Sequence, residues 1–241
     1  MTVRSVEDLG PRMRRVVLGG TELDGLEITE PAASVRLLLP PRGADAIVMP
    51  TWTGNQFELP DGERAPIRTF TPRHMDAEAL ELTVDFVVHG SGAASDWVSG
   101  ARRGSEIAVS GPGRGYEVDP SSAHLLAGDE TAIPAMSQLL EVLPPEVPVT
   151  VHVEIADASG RIDLPTHGGA TIRWHELAED AQPGDALLAA IESTDQLPGA
   201  IWVAGEAAGV QRIRKHFFEV RGLSRSDATV RGYWKKGRSA T

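Results

Sequence analysis

Arg68-Thr69-Phe70-Thr71-Pro72-Arg73 is answered about twenty residues later by His89-Gly90-Ser91-Gly92-Ala93-Ala94-Ser95-Asp96-Trp97. In the first stretch two arginines alternate with an aromatic and a hydroxyl, and Pro72 holds Thr71 in an extended conformation. Side chains alternate along a strand, so Arg68, Phe70 and Pro72 are expected on one face, and Thr71 and Arg73 on the other. Such a segment suits a flat aromatic ring that carries a phosphate. The ring would stack on Phe70, the Arg68 guanidinium would take the phosphate, and Thr71 would hydrogen-bond a ring heteroatom. The glycine-rich stretch adds backbone N–H groups and a helix N-terminus, an anion site for a second phosphate. Alone, the first stretch reads as a polar edge strand and the second as a loop capping a helix. Together they read as a flavin dinucleotide site.

The chain has 241 residues, 41% hydrophobic and 24% charged, enough for two soluble domains. It has no cysteine, which excludes disulfides, zinc–thiolate sites, iron–sulfur clusters and cysteine nucleophiles. No apolar run lies between Met1 and Pro11, and none approaches the ~20 residues needed to span a bilayer. The expected address is the cytoplasm, with no membrane partner. A net charge of −11 argues against nucleic acid. That charge is uneven: from Val210 onward nine Lys and Arg face only Glu219 and Asp227. The basic end reads either as a solvated helix face with a frayed tail or as a site for an anion.

Stretches 13–18, 34–39, 46–49, 66–71, 80–88 and 105–109 read as short strands between Gly/Pro turns, with one helix near 93–101. These predict an antiparallel six-stranded β-barrel over residues 1–118. After Gly111-Pro112-Gly113-Arg114-Gly115 the rhythm changes. Strands at 124–127, 148–155, 171–174, 200–204 and 228–233 alternate with helices at 131–142, 185–193 and 206–221. This predicts an α/β domain with a parallel sheet over 119–241, whose ligands bind beyond the carboxyl ends of the strands. Two such ends stand out, Gly128-Asp129-Glu130-Thr131 and Gly205-Glu206-Ala207. Neither is a G-x-G-x-x-G fingerprint. They read as turns with acidic helix starts, or as helix N-termini offering N–H groups to a pyrophosphate. Strand 148–155 ends in Glu154-Ile155-Ala156-Asp157, acids placed for a ribose diol, which predicts NADH over NADPH.

In order and spacing the motifs resemble the siderophore-interacting protein family of ferredoxin-reductase-like flavoproteins. That family carries R-T-Y-T-x-R, a strand ending in H-G, G-P-A-S-x-W, A-D-E-T-A-L-P-A, G-E-A and G-Y-W-[RK]-[RK]-G. Here Phe70 replaces the tyrosine, Ala93 the proline, and the 89–97 loop is one residue shorter. The resemblance spans nearly the whole chain, from Arg12-Met13-Arg14-Arg15-Val16 to Gly232-Tyr233-Trp234-Lys235-Lys236-Gly237-Arg238. It implies FAD held by Arg68, Phe70, Thr71, Arg73, Phe86, Val88, His89, Gly90, Gly92, Ala94, Ser95 and Trp97. It implies NADH or NADPH at Asp129, Glu130, Thr131, Gly205 and Glu206. A basic tail of Lys235, Lys236 and Arg238 near the flavin would attract an anionic ferric siderophore. Iron would be bound only through its chelator, because the seven histidines show no ligand pair at i, i+4 spacing. Electron transfer to iron requires no general acid or base, so no catalytic residue is expected. The implied activity is that of a monomeric, cytoplasmic, NAD(P)H-driven ferric-siderophore reductase releasing Fe(II). A general flavin or ferredoxin-type reductase and a siderophore- or haem-binding module without turnover are the alternatives.

Overall fold

A computed structural model describes residues 1–90 and 92–237. The chain divides into two compact units, Met1–Gly115 and a second that begins at Tyr116.

In the first unit every strand pairing is antiparallel. Four strands, β1 (Thr2–Gly10), β2 (Met13–Gly19), β7 (Pro72–Asp76) and β8 (Glu81–Val87), form one sheet in the order β1-β2-β8-β7. Three more, β3 (Val35–Leu38), β6 (Ile67–Phe70) and β9 (Ala108–Ser110), form a second in the order β6-β3-β9. A small hairpin joins β4 (Thr51–Trp52) to β5 (Phe57–Glu58), and one helix, α1 (Ala93–Gly100), follows β8. Period-two burial drives the first sheet. Leu82 and Val84 of β8 stand opposite Leu18 and Val16 of β2, and all four are buried together with Phe86.

The single closed six-stranded barrel expected from the sequence is not found. Among the described residues the pairings divide into sheets of four, three and two strands. Besides the short hairpin β4–β5, two longer strands went unread because their composition hides them. β1 is mostly polar and lies at a sheet edge, and β7 begins at a proline that also reads as a break. Residues 46–49 are not a strand; pairing starts only at Thr51. The strict alternation expected from Arg68 to Arg73 also fails beyond Phe70. The chain leaves one sheet at Phe70 and joins the other at Pro72, and a register shift between Pro72 and His74 follows.

The second unit is a five-stranded, all-parallel sheet. Its strands are β10 (His124–Asp129), β11 (Val149–Ile155), β12 (Ala170–Glu176), β13 (Ala200–Glu206) and β14 (Ala228–Trp234), in the order β12-β11-β10-β13-β14. The central strands β10 and β13 are buried along their whole length, as expected of strands covered on both faces. Helices α3 (Asp185–Glu192) and α4 (Ala207–Lys215) cover the face formed by Leu125, Ala127, Ile201, Val203 and Val230, using Leu187, Ile191, Val210 and Ile213. A third helix, α2 (Ile133–Val142), follows β10 after a short 3-10 turn. The helix expected to run unbroken over 206–221 stops at Lys215 and continues as a π-helical segment, His216–Val220.

One polar contact in this sheet has a pH signature. His152 of β11 is buried, with Nδ1 2.8 Å from Nε2 of His175 on β12. Burial first, then the neighbouring charges of His175 and Arg173, hold His152 down to about 4 from an ordinary 6.5. The fold therefore favours neutral His152. This contribution is complete above the ordinary value and is lost as pH falls toward the depressed one. Urea titrations across that window should show the wild-type midpoint falling more steeply than that of His152→Gln. Parallel falls in the two proteins would remove the pair as the cause.

Candidate functional site

In the first unit β6, β8 and α1 bring three aromatic rings into one cluster of tilted contacts. Phe70 lies 4.5 Å from Phe86, centroid to centroid, and Phe86 lies 5.5 Å from Trp97. Phe86 is only 1% exposed, so it reaches a ligand only by backing Phe70, which is half-buried at the edge of the same core. Beside Phe70, the half-buried Arg68 donates from Nη1 to its own Ile67 carbonyl at 2.8 Å. Burial and the neighbouring Arg64 cation push its pKa down, and no carboxylate pairs with it among the described residues. Two guanidinium groups without an acid form a donor set suited to a phosphate. Thr71 is buried, Arg73 and Val88 are half-buried, and His89 and Gly90 are exposed.

The loop ahead of α1 is fastened by Ser95, whose Oγ accepts from the His89 amide at 3.1 Å and donates to the Val87 carbonyl at 3.5 Å. The Ser95 hydroxyl, expected at a pyrophosphate, is thus engaged within the chain. Gly92 at the N-cap has no side chain with which to accept from the first amides of α1. Gly92 adopts φ 136°, a conformation glycine enters easily. Ser91 lies outside the described residues.

The carboxyl edge of the second sheet is arranged differently. Asp129 ends β10, and its carboxylate accepts four hydrogen bonds. Oδ1 takes Thr131 N at 2.9 Å and Thr131 Oγ1 at 2.5 Å, while Oδ2 takes Glu206 N at 2.9 Å and Trp234 Nε1 at 2.7 Å. Burial pushes the Asp129 carboxyl up against those donors. Glu206 ends β13 and caps α4. Its Oε2 accepts from Gly209 N at 2.8 Å and its Oε1 from Lys236 N at 3.1 Å. Burial opposes the charge on Glu206, yet these N–H groups hold its pKa below the usual range. Glu154 caps α3, accepting from Gly184 N at 2.7 Å, Ala186 N at 3.1 Å and Leu187 N at 3.3 Å. Its pKa is raised by burial, which outweighs those donors.

These bonds give partners within the chain to several of the residues expected at a nucleotide. The Thr131 amide, expected at a nucleotide, already has a tethered carboxylate acceptor, as does the Gly209 amide in the first turn of α4. Glu154, expected at a ribose diol, is buried and turned onto the start of α3. An acid fixed in the chain one turn from a helix start satisfies those N–H groups more readily than a ligand from solution. Glu130 is also buried. Gly205 fits beside this cluster because a Cβ there would stand 2.7 Å from Asp129 Oδ2. Lys235 and Lys236 are exposed, and Lys236 Nζ donates to Gln182 Oε1 at 3.3 Å. Arg238 lies outside the described residues.

Residues 2–116 match the family described as the siderophore-interacting FAD-binding domain, and residues 121–237 match the one described as siderophore-interacting protein. The chain belongs to the siderophore-interacting protein family. A solved siderophore utilization protein from T. fusca is 36% identical, with a TM-score of 0.86 over 99% of this chain and 92% of that one. An Escherichia coli protein named NADPH-dependent ferric-chelate reductase is 33% identical over 97% of this chain and 91% of the relative. The ferric vibriobactin reductase ViuB of Vibrio cholerae is 30% identical over 93% of this chain and 84% of the relative. A cytochrome P450 reductase from Amycolatopsis at 20% identity and a ferredoxin reductase at 10% share this ferredoxin-reductase-like two-domain fold.

Sequence reasoning missed two contacts. Arg15 meets Asp85 through Nε at 2.7 Å and Nη2 at 2.8 Å, bracing β2 against β8. The Trp234–Asp129 bond joins residues 105 apart. The first has a visible signal, opposite charges on strands of matching period; the second has none.

If Glu154 serves α3, Glu154→Ala should cost about 1–3 kcal/mol of stability, the loss of a cap and of its charge-assisted bonds. Urea unfolding measures this, and the KM for NADH and for NADPH should stay within about twofold, far below one lost hydrogen bond to a charged group. A rise in KM confined to NADH would restore Glu154 to the nucleotide.

Proposed function

We propose that the protein is an FAD-containing ferric-siderophore reductase that takes electrons from a reduced nicotinamide nucleotide and releases iron as Fe(II) in the cytoplasm, acting as a monomer. The observation that carries this reading is full-length similarity, through both units, to relatives named as ferric reductases. The residues of the first unit fit FAD. Phe70, backed by Phe86 and Trp97, offers an apolar surface for a flat ring. Arg68 and Arg64 offer cations without an acid among the described residues, and the N-cap of α1 is a glycine. FAD bound there would supply the conversion of a two-electron hydride donor into single electrons for iron.

The chain's own residues do the rest. Arg68 holds phosphate, Phe70 orients the ring by stacking, and Ser95 keeps the 89–95 loop closed on β8 so that the first amides of α1 stay aimed at an anion. Arg73, Thr71 and His89 line the flavin side. Lys235 and Lys236 draw in an anionic iron chelate, since exposed ammonium groups act over the ~8–10 Å of a Debye length. Asp129, Thr131 and Glu206 do not fit a nucleotide, because their polar groups are already bonded to one another and to Trp234 and Lys236. No nucleotide-binding role is therefore drawn from them. The ground for preferring NADH over NADPH, the Glu154 carboxylate, is likewise gone.

An anaerobic titration decides between the readings. Purified protein should be yellow, bleach on addition of NADH or NADPH, and regain colour on addition of a ferric siderophore while a ferrous-specific chelator traps iron. Colourless protein that still binds ferric siderophore would point to a binding module. Bleaching without trapped ferrous iron would point to a reductase of another acceptor. Within the same protein, Arg68→Ala should weaken flavin binding about tenfold to hundredfold, the worth of a charge-assisted contact. Phe70→Tyr should retain flavin and Phe70→Ala lose it. Equal flavin occupancy in all four proteins would sink the site.

A further inference from the structure

The acids at the carboxyl edge of the parallel sheet belong to no group that could hold a metal ion among the described residues, and they are tied to one another and to the last strand. Asp129 and Glu206 are linked directly, Glu206 N to Asp129 Oδ2. Each then sends one carboxylate oxygen to the end of β14. Asp129 Oδ2 holds the Trp234 indole at 2.7 Å, and Glu206 Oε1 holds the Lys236 amide at 3.1 Å. The β13–β14 register shifts at this point. Gly205 pairs with Gly232 but Glu206 pairs with Trp234, so Tyr233 is the extra residue. A bulge of this kind re-aims the side chains that follow it, and here the indole reaches the end of β10, the strand beyond β13. The Lys236 side chain adds a third tie, to Gln182 just ahead of α3. Without these bonds, β14 would be an edge strand ending in exposed lysines, the kind of terminus that frays.

We infer that Asp129 and Glu206 are positioning residues: together they clamp Trp234 and Lys236, and so hold the Lys235–Lys236 ammonium pair at a fixed place on the edge of the sheet. The clamp gives both buried acids a use and gives the indole donor at the end of the last strand its acceptor. Both carboxylates gain as acceptors, because a charged acceptor makes the stronger hydrogen bonds and an unsatisfied one is costly when buried. A fixed cation pair loses less entropy on binding an anion than a pair on a loose tail would. The consequence for turnover rests on the ferric-siderophore reductase reading; the clamp itself does not.

The test uses the full chain with Trp234→Phe, which removes the indole donor and keeps a ring, and with Asp129→Asn, which changes the acceptor at constant size. Brief trypsin digestion followed by intact-mass measurement reads cleavage after Lys235 and Lys236. Both variants should release products ending at those lysines about tenfold faster than wild type, the opening expected from one lost bond to a charged acceptor. The double variant should add little more. In turnover, KM for a trianionic ferric triscatecholate should rise severalfold with kcat within about twofold, while KM for an uncharged ferric hydroxamate stays level; high salt should narrow the difference by screening. Tryptic release at the wild-type rate in both variants would overturn the clamp. Faster release with an unchanged triscatecholate KM would overturn the positioning role. If wild type reduces no ferric chelate, the reductase reading fails, and the digestion alone still decides the clamp.

Discussion

The second unit closes its sheet around one carboxylate. Asp129 sits at the end of the central strand β10 and binds donors from its own turn, from the start of Glu206 on β13 and from Trp234 on β14. A buried acid is expensive unless its lone pairs are filled, and here four donors fill them. The neighbouring glycines follow from this constraint. A Cβ at Gly205 would collide with Asp129 Oδ2, and a Cβ at Gly128 would stand 2.6 Å from the Ala204 carbonyl and 2.4 Å from Ala132 Cβ. The G-D-E-T and G-E-A stretches are thus two halves of one packing problem at the strand ends.

The same physics separates the helix starts of the two units. In the second unit the 3-10 turn before α2, helix α3 and helix α4 accept Asp129, Glu154 and Glu206 as caps. In the first unit the N-cap of α1 is a glycine, which has no side chain to accept from the helix. Helix N-termini attract anions alike, so what distinguishes them is whether the chain has already supplied one. This difference is what supports the proposal that a phosphate of FAD meets the start of α1, which follows the β8 strand that carries Phe86. The cations gather at Arg64 and Arg68 in one unit and at Lys235 and Lys236 in the other, while the three acids of the second sheet's edge are consumed internally.

Much of this was legible in the residues. The alternation of Leu82, Val84 and Phe86 marked β8, and the strand–helix rhythm after residue 120 marked the parallel sheet. The order of motifs marked the family. Legibility failed where burial is not periodic. β1 carries polar residues along an edge, and β7 starts at Pro72, so pattern alone hid both and the first unit was read as one six-stranded barrel. It failed again where a function-like signature has an internal use. Glu154, Asp129 and Glu206 occupy positions at which acids could meet a ribose or start a helix, and sequence alone does not reveal that their bonds run to helix starts and to Trp234. The Trp234 partner was invisible because its spacing from Asp129 follows from the crossover topology and not from any local period.

The most direct measurement of the Asp129 hub is the exchange and chemical shift of the Trp234 indole N–H, assigned among the five tryptophan indoles by its disappearance in Trp234→Phe. A proton held by a buried carboxylate should resonate downfield of the others and resist exchange with solvent, and Asp129→Asn should move it upfield and speed its exchange. An indole signal at the ordinary position, exchanging as fast as an exposed tryptophan and indifferent to Asp129→Asn, would contradict the account.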